Sequence, residues 1–151
     1  MADFGQRDSS TRFAHSSVLA DAACAAQLRQ EFSVWLKRYF AVDATKASDV
    51  VLAVNEALAN AAEFAYTAAA EPGAMHLRAD YDCTAACLTV TVTDEGAWRI
   101  TNPATRSRSR GRGIPLMEAL ADQTSIDSTA TGTRVSLVWN HIAAAAVPAA
   151  N

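Results

Sequence analysis

The chain has 151 residues and a formal net charge of −3, and half of its residues are hydrophobic. This length fits one domain with a single core, and the acidic balance argues against a general nucleic-acid binder. No apolar run approaches the roughly 18 residues that a membrane-spanning helix needs. The N-terminus also lacks a secretory signal. We therefore expect a cytoplasmic globular protein without a membrane span.

Charge is distributed unevenly along the chain. Five arginines and no acidic residue lie between positions 99 and 112, namely Arg99, Arg106, Arg108, Arg110 and Arg112. The rest of the chain carries eight basic and 16 acidic side chains. A basic segment on an acidic body indicates an anionic ligand or an acidic partner at that segment, although a solvated loop would have the same composition.

The cysteines and histidines do not predict a metal site. Cys24, Cys83 and Cys87 are odd in number and lack metal-ligand spacing. Cys83 and Cys87 could face each other across a hairpin turn, but a cytosolic chain keeps its thiols reduced. We therefore predict free thiols. The three histidines are scattered, and we expect each to be structural or exposed.

The first half of the chain predicts one strand and two helices. An edge strand is expected at 13–19. Asp21 can cap a helix that runs to about residue 40, because apolar side chains recur there at helical spacing. A second amphipathic helix is predicted at 46–68, before a Glu-Pro-Gly break at 71–73.

The second half predicts mostly strands. The predicted elements are strands at 75–81, 88–94, 124–127 and 134–139, a long loop at 96–111, and a helix at 114–120 with Pro115 in its first turn. Helices gathered outside runs of antiparallel strands predict an α+β two-layer sandwich, in which a mixed, mostly antiparallel sheet packs on about three helices. We assign the domain to 11–140 and flexible tails to 1–10 and 141–151.

Glu56 and Asn60 form the first feature with chemical potential. They are four residues apart on the second predicted helix, so they project from one face. A carboxylate can accept a proton from a hydroxyl group, and an amide oxygen suits Mg²⁺. The small alanines around them leave room for a ligand. Taken alone, the pair could also simply face solvent.

Three glycine-containing features follow. Asp94 ends a strand two residues before Gly96, and a buried Asp there could accept the exocyclic amine of adenine while the glycine admits the base. Gly111 and Gly113 open a helix, whose free N–H groups favour a phosphate. A Gly-Thr pair at 132–133 precedes the last strand. Each feature alone could be an ordinary turn.

The order of these features resembles the GHKL (Bergerat-fold) ATPase superfamily over residues 11–140. Among its branches, the chain looks most like the bacterial anti-sigma-factor serine/threonine kinases. The stretches that carry the resemblance are LAVNEALAN at 52–60, VTDEGAW at 92–98, GRGIPLM at 111–117, LAD at 120–122, SIDS at 125–128 and GT at 132–133.

The resemblance implies roles for the matched residues on the helix and at the strand ends. Asn60 would coordinate Mg²⁺ bound to the phosphates, and Glu56 would be the general base that activates the acceptor hydroxyl. Asp94 would hydrogen-bond adenine, with Gly96 packed close to the base and Thr133 nearby.

The resemblance also implies a phosphate clasp and a lid. Gly111 and Gly113 would clasp the phosphates with Arg112 between them, and 99–110 would form the ATP lid, from which Arg108 or Arg110 offsets the charge of the γ-phosphate. The chain departs from the family pattern in a short, very basic lid and at two further places. Ala-Trp follows Gly96 where relatives often continue Gly-x-Gly, and Phe64 stands where many relatives carry His.

The implied activity is phosphoryl transfer from ATP, with Mg²⁺, to a serine or threonine of an anti-sigma-factor antagonist. The implied second partner is a sigma factor that the kinase sequesters, and relatives commonly form homodimers. One alternative is a non-catalytic, nucleotide-dependent protein-binding module. A sensor histidine kinase domain would need a preceding helical hairpin with a phosphoacceptor His. A nucleic-acid binder would use the arginine segment, against which the acidic remainder argues.

Overall fold

The fold was analysed in a computed structural model that describes residues 12–64, 73–96 and 113–145. The elements in chain order are β1 (Arg12–Leu19), α1 (Ala22–Tyr39), α2 (Ala44–Phe64), β2 (Ala74–Asp82), β3 (Cys87–Asp94), α3 (Gly113–Leu120), β4 (Gln123–Thr129) and β5 (Gly132–Trp139). Each predicted element is present, with ends that differ by a few residues. The predicted end of the second helix, at 65–68, lies outside the described residues.

The five strands form one sheet in the order β1-β2-β3-β5-β4, and every neighbouring pair is antiparallel. The three helices pack on this sheet, with α2 in contact with β2, β3 and β5 and with both other helices. The α+β sandwich prediction is therefore confirmed. The described sheet contains antiparallel pairs only, so the parallel component of the predicted mixed sheet is not seen there. The first strand lies at a sheet edge, as predicted.

The core follows from alternation in the two central strands. Every second residue of β3 and β5 is buried, and these side chains face the helices. The fully buried apolar side chains of these strands and of α2 include Leu88, Val90, Leu137, Trp139, Val50, Val54 and Leu58. Each such burial contributes about 1.5–3 kcal/mol to folding. The Trp139 indole also donates a 2.8 Å hydrogen bond to the carbonyl of Leu120, which ties β5 to the end of α3.

Aspartates begin both long helices. The Asp21 carboxylate accepts the backbone N–H of Cys24 at 2.8 Å, as the cap prediction requires, and this backbone bond lowers the pKa of Asp21. Asp43 accepts the backbone N–H of Lys46 at 2.7 Å in the same way. Since Asp43 is the cap, α2 begins at Ala44, two residues before the predicted start.

The segment after β5 corrects the tail prediction. Ile142 is 1% exposed, and its backbone N–H donates to the carbonyl of Ala86 at 2.9 Å. The Tyr81 hydroxyl donates to the carbonyl of Ile142 at 2.6 Å, and Phe40 forms a β-bridge with Ala144. The assignment of 141–151 to a flexible tail is therefore wrong for 141–145, whereas 146–151 lie outside the described residues. The sequence underestimated this segment because one buried isoleucine among alanines shows no periodicity.

Two further expectations can be compared with the structure. All three cysteines are free thiols, as predicted. Among the helices that the structure describes, none combines the length and the apolar character that crossing a membrane requires.

The turn between β2 and β3 generates a stability prediction. Ala86 has a φ of 54°, a left-handed conformation that costs a residue with a Cβ about 1–2 kcal/mol. Ala86→Gly should therefore raise the free energy of unfolding in urea by about 0.5–1 kcal/mol, after allowance for the greater freedom of glycine in the unfolded chain. Ala85→Gly in the same turn is the control and should lower it. Equal effects of the two substitutions would contradict the assignment of strain to Ala86.

Candidate functional site

On β3 and β5, the last buried position at one end of the sheet is occupied by a polar residue. Asp94 is 3% exposed and Thr133 is 2% exposed, although neither is apolar. They lie opposite each other in the β3–β5 register. Because both continue the alternation of buried residues, their side chains point to the helix side of the sheet. The resemblance implied that Thr133 lies near the base that Asp94 would bind. The structure places the two residues opposite each other, and their roles stay predictions.

Short contacts fix this end of the sheet. The Gly96 backbone N–H donates to Asp94 Oδ1 at 3.0 Å, and the hydroxyls of Ser128 and Thr133 are 3.1 Å apart. Gly132 lies against the backbone of Asp94, where an added Cβ would collide with the Asp94 carbonyl oxygen and lie 3.3 Å from the Glu95 Cα. The strand ends therefore meet closely, and the glycine is required for that approach.

Asn60 is a buried amide on α2, the helix that packs over β3 and β5. Its side chain is 5% exposed, and its Nδ2 has no hydrogen-bond partner within the part of the chain that the structure describes. Buried polar side-chain atoms are bonded in the large majority of cases, so an unpartnered one requires an explanation. An amide can present its nitrogen or, after a half-turn, its oxygen, which is a ligand that Mg²⁺ accepts. Asn60 therefore fits a metal–phosphate group.

Glu56 lies one helical turn before Asn60 and is half-buried. Burial is the main cause that raises the pKa of the Glu56 carboxyl. The charge of Glu63, two turns further along the helix, adds a smaller increase. A raised pKa moves a carboxyl group towards the range in which it exchanges protons near neutral pH. The environment of Glu56 thus suits a proton acceptor.

The described residues include only part of the predicted phosphate clasp. Gly113 is the first residue of α3, which packs against α2. Arg108, Arg110, Gly111 and Arg112, and with them the whole predicted lid at 99–110, lie outside the described residues. Within the ranges that are described, no cluster of three or more His, Cys, Asp or Glu side chains could hold a metal ion alone. A magnesium ion at Asn60 would therefore need the phosphate oxygens as further ligands.

Two grooves on the described surface lie away from these residues. One of about 740 Å³ runs between α1 and α2, and one of about 580 Å³ lies on the face of the sheet opposite the helices. Glu56, Asn60, Asp94 and Thr133 line neither groove. The candidate site is therefore defined by its polar residues on α2 and at the ends of β3 and β5.

Comparison with known sequences agrees with this geometry. The profile of the family described as "Histidine kinase-like ATPase domain" matches residues 18–139. The chain belongs to this family. Membership confirms the predicted superfamily and implies that the domain binds a nucleotide. A search of curated protein sequences found no significant match.

Solved structures show the same fold. The RsbU and RsbW domains of Rv1364c from Mycobacterium tuberculosis share 20% identity at a TM-score of 0.66, over 93% of this chain and 34% of that chain. The histidine kinase domain of the blue-light activated histidine kinase from Erythrobacter litoralis EL346 shares 26% identity at a TM-score of 0.52, over 63% of this chain and 44% of that chain. The SiaB–SiaC complex from Pseudomonas aeruginosa shares 8% identity at a TM-score of 0.62, over 89% of this chain and 92% of that chain. This chain thus spans a third to under half of the first two chains.

Two contacts of this region were not predicted. The Ser128–Thr133 hydroxyl pair joins residues of two strands, and the sequence marked both stretches without indicating the contact. His76 contacts Glu95 on the opposite face of the sheet, with 2.9 Å between Nε2 and Oε2. The register of β2 and β3 would have indicated this second contact, but register is not readable from one sequence.

The close approach of Gly132 to Asp94 generates a prediction. Gly132→Ala should lower the free energy of unfolding by about 1–3 kcal/mol, because the new Cβ forces the backbone of one strand end to move. Urea unfolding measures the change. Ser136→Ala, on the open face of the same strand, is the control and should be near neutral. Equal stability of Gly132→Ala and the wild type would show that the two strand ends do not pack as described.

Proposed function

We propose that this chain is an ATP-dependent serine/threonine protein kinase of the anti-sigma-factor type. Its acceptor is an anti-sigma-factor antagonist, and its second partner is a sigma factor that it sequesters. The observation that carries the proposal is the buried Asn60, whose Nδ2 lacks a partner among the described residues while its helix packs on the strand that ends in Asp94.

Adenine recognition is assigned to the end of β3. The Asp94 carboxylate accepts the Gly96 N–H through Oδ1, which fixes the orientation of the group, and this carboxylate would accept the exocyclic amine of adenine. Gly96 itself is buried and allows the base to lie against the backbone. Thr133, held by Ser128, offers a hydroxyl beside the carboxylate. Burial makes this recognition selective, because a buried carboxylate without its donor is unfavourable.

Phosphate binding is assigned to α2 and to the N-terminus of α3. Asn60 would hold Mg²⁺ together with phosphate oxygens, and the ion would offset phosphate charge during transfer. Gly111, Arg112 and Gly113 would bind the phosphates with backbone N–H groups and positive charge, and Arg108 or Arg110 would approach the γ-phosphate. The arginine-rich composition of 99–112 supports this assignment.

Glu56 is assigned as the general base of the transfer step. The acceptor hydroxyl oxygen attacks the γ-phosphorus, its proton passes to the Glu56 carboxylate, and the bond from the γ-phosphorus to the bridging oxygen breaks to release ADP. The raised pKa of Glu56 supports this role, since a carboxyl of ordinary pKa is a weaker base. Positioning and charge neutralisation supply the remainder of the rate enhancement.

The likeness to a structure that contains an RsbW domain and to the SiaB–SiaC complex supports a protein partner. The alternative function is a non-catalytic module that uses nucleotide only to stabilise a partner-binding surface. The two functions differ in whether the chain transfers phosphate to a bound partner.

Nucleotide binding is tested by calorimetry with ATP and Mg²⁺. Asp94→Asn should weaken ATP binding at least about tenfold, because it removes a charged acceptor from a buried site. Asn60→Ala should remove the Mg²⁺ dependence of ATP affinity. Ser136→Ala, on the open face, should bind like the wild type. If both site variants bind ATP like the wild type, the assignment of the nucleotide site is wrong. If the wild type itself binds no ATP, the proposed function is refuted.

Loss of the base gives a second test. Glu56→Gln should lower the rate of γ-phosphate transfer at least about 100-fold, measured with labelled ATP and an antagonist protein captured on the immobilised chain. Capture itself should be unchanged. Because an acid whose folded pKa is raised destabilises the fold once ionised, Glu56→Gln should melt at the wild-type temperature or slightly above it.

The same group sets a pH dependence. The basic form of Glu56 increases as pH rises through its raised pKa, so the transfer rate should rise over that interval and fall on acidification. Glu63→Gln removes the neighbouring charge and should move the acid limb of the profile to lower pH. Full transfer by Glu56→Gln would exclude Glu56 as the general base, and nucleotide and partner binding by the wild type without transfer would favour the non-catalytic module. An unmoved acid limb would exclude Glu63 as a cause of the raised pKa.

A further inference from the structure

His76 connects three parts of the open face of the sheet. Its Nδ1 accepts the backbone N–H of Ser17 in β1 at 2.9 Å, and its Nε2 lies 2.9 Å from Oε2 of Glu95. Since Nδ1 is an acceptor, the ring is neutral and Nε2 carries the proton that it donates to Glu95. Both ring nitrogens are therefore used, and the ring is held between β1 and the end of β3.

Glu95 carries this connection into the candidate site. The β2–β3 register ends at the pair Met75–Asp94, so Glu95 begins the turn that leaves the sheet. Alternation places Asp94 on the helix side and Glu95 on the open side. A contact that fixes the side chain of Glu95 thus restrains the backbone from which the Asp94 carboxylate projects, and the Gly96 N–H that binds this carboxylate belongs to the same turn.

The anchor on β1 is itself a specialised piece of backbone. The register of β1 with β2 shifts between His15 and Val18, and Ser17 within this bulge has a φ of 58°. A bulge turns a backbone N–H out of the ladder, and here the His76 ring satisfies that N–H. The His76 side chain is 25% exposed, so the ring is largely enclosed, whereas Glu95 is 65% exposed. The restraint therefore runs from the bulge through the ring to the turn.

We propose that His76 and Glu95 are positioning residues for the nucleotide base, which hold the Asp94 turn from the opposite face of the sheet and so set the preference for adenine. This inference rests on the proposed nucleotide site. Neither residue touches the nucleotide. Their effect is confined to the base end, because the phosphate-binding residues lie on α2 and before α3.

The test compares ATP with inosine triphosphate and inorganic tripolyphosphate in calorimetric titrations of the full chain. Inosine carries an oxygen where adenine has its exocyclic amine, so the Asp94 carboxylate should disfavour it about 5- to 100-fold in the wild type. Glu95→Ala and His76→Ala should reduce this ATP-to-inosine-triphosphate ratio at least about threefold. Tripolyphosphate affinity should not change. Glu95→Gln retains an oxygen that accepts from His76 Nε2, so this variant should keep the wild-type ratio.

A matched control pair joins the same sheet to a helix. His15 and Glu31 form a second His–Glu pair, with 3.1 Å between Nε2 and Oε1 and side chains about 40% exposed. This pair joins β1 to α1, and Glu31→Ala should leave the ratio at its wild-type value. All titrations are run below the melting temperature of the least stable variant, so that every chain is folded.

The outcomes separate the inference from the proposed function. A wild-type ratio in Glu95→Ala would overturn the inference while leaving the nucleotide site intact. A parallel loss of ATP and tripolyphosphate affinity would also overturn it, since the pair would then only stabilise the fold. A wild type that binds no ATP would refute the proposed function and the inference together. A wild type that binds ATP and inosine triphosphate equally would overturn the assignment of Asp94 to the base.

Discussion

The candidate site depends on the register of two antiparallel strands. Asp94 lies opposite Thr133, and both extend the rows of apolar side chains that β3 and β5 bury under α2. A slip of one residue would turn both polar groups to the open face and bring Glu95 and Arg134 towards the core. Burying those charges would be far more unfavourable than the lost contacts alone. The packing of the apolar rows therefore fixes where the carboxylate and the hydroxyl lie.

The turn after β3 shows how one strand end can serve both faces of a two-layer fold. On the helix side, Asp94 and Gly96 form a closed, buried arrangement, to which the proposed function assigns the base. On the open side, Glu95 meets His76, which in turn satisfies the N–H of a bulged residue in β1. Asp94 and Glu95 are successive residues, so the proposed contact with the base and the contact that holds the turn lie on opposite faces of the sheet. None of the described helices covers this face of the sheet, which leaves room for such support, since its side chains need not fill a core.

Much of the fold could be predicted from the sequence because its signals are local. Alternation identified 88–94 as a half-buried strand, four-residue spacing put Glu56 and Asn60 on one helix, and Asp21 marked a helix start. The start of α2 was placed late because the cap at Asp43 precedes any apolar periodicity. The packing of Ile142 and the His76–Glu95 contact join residues that are distant in the chain, and a single sequence carries no signal for such contacts.

Two residues of the candidate site lower the stability of the folded domain. Asn60 Nδ2, which has no partner among the described residues, and the Glu56 carboxyl with its raised pKa each disfavour the ligand-free folded state. Both lie on one flank of α2, whose other flank is closely packed with Val50, Val54 and Leu58. The packed flank holds the polar one in place, so the unfavourable groups persist without unfolding the helix. A bound metal–phosphate group would satisfy the amide and favour the ionised carboxylate, and the free energy recovered in this way contributes to binding rather than to the stability of the empty domain.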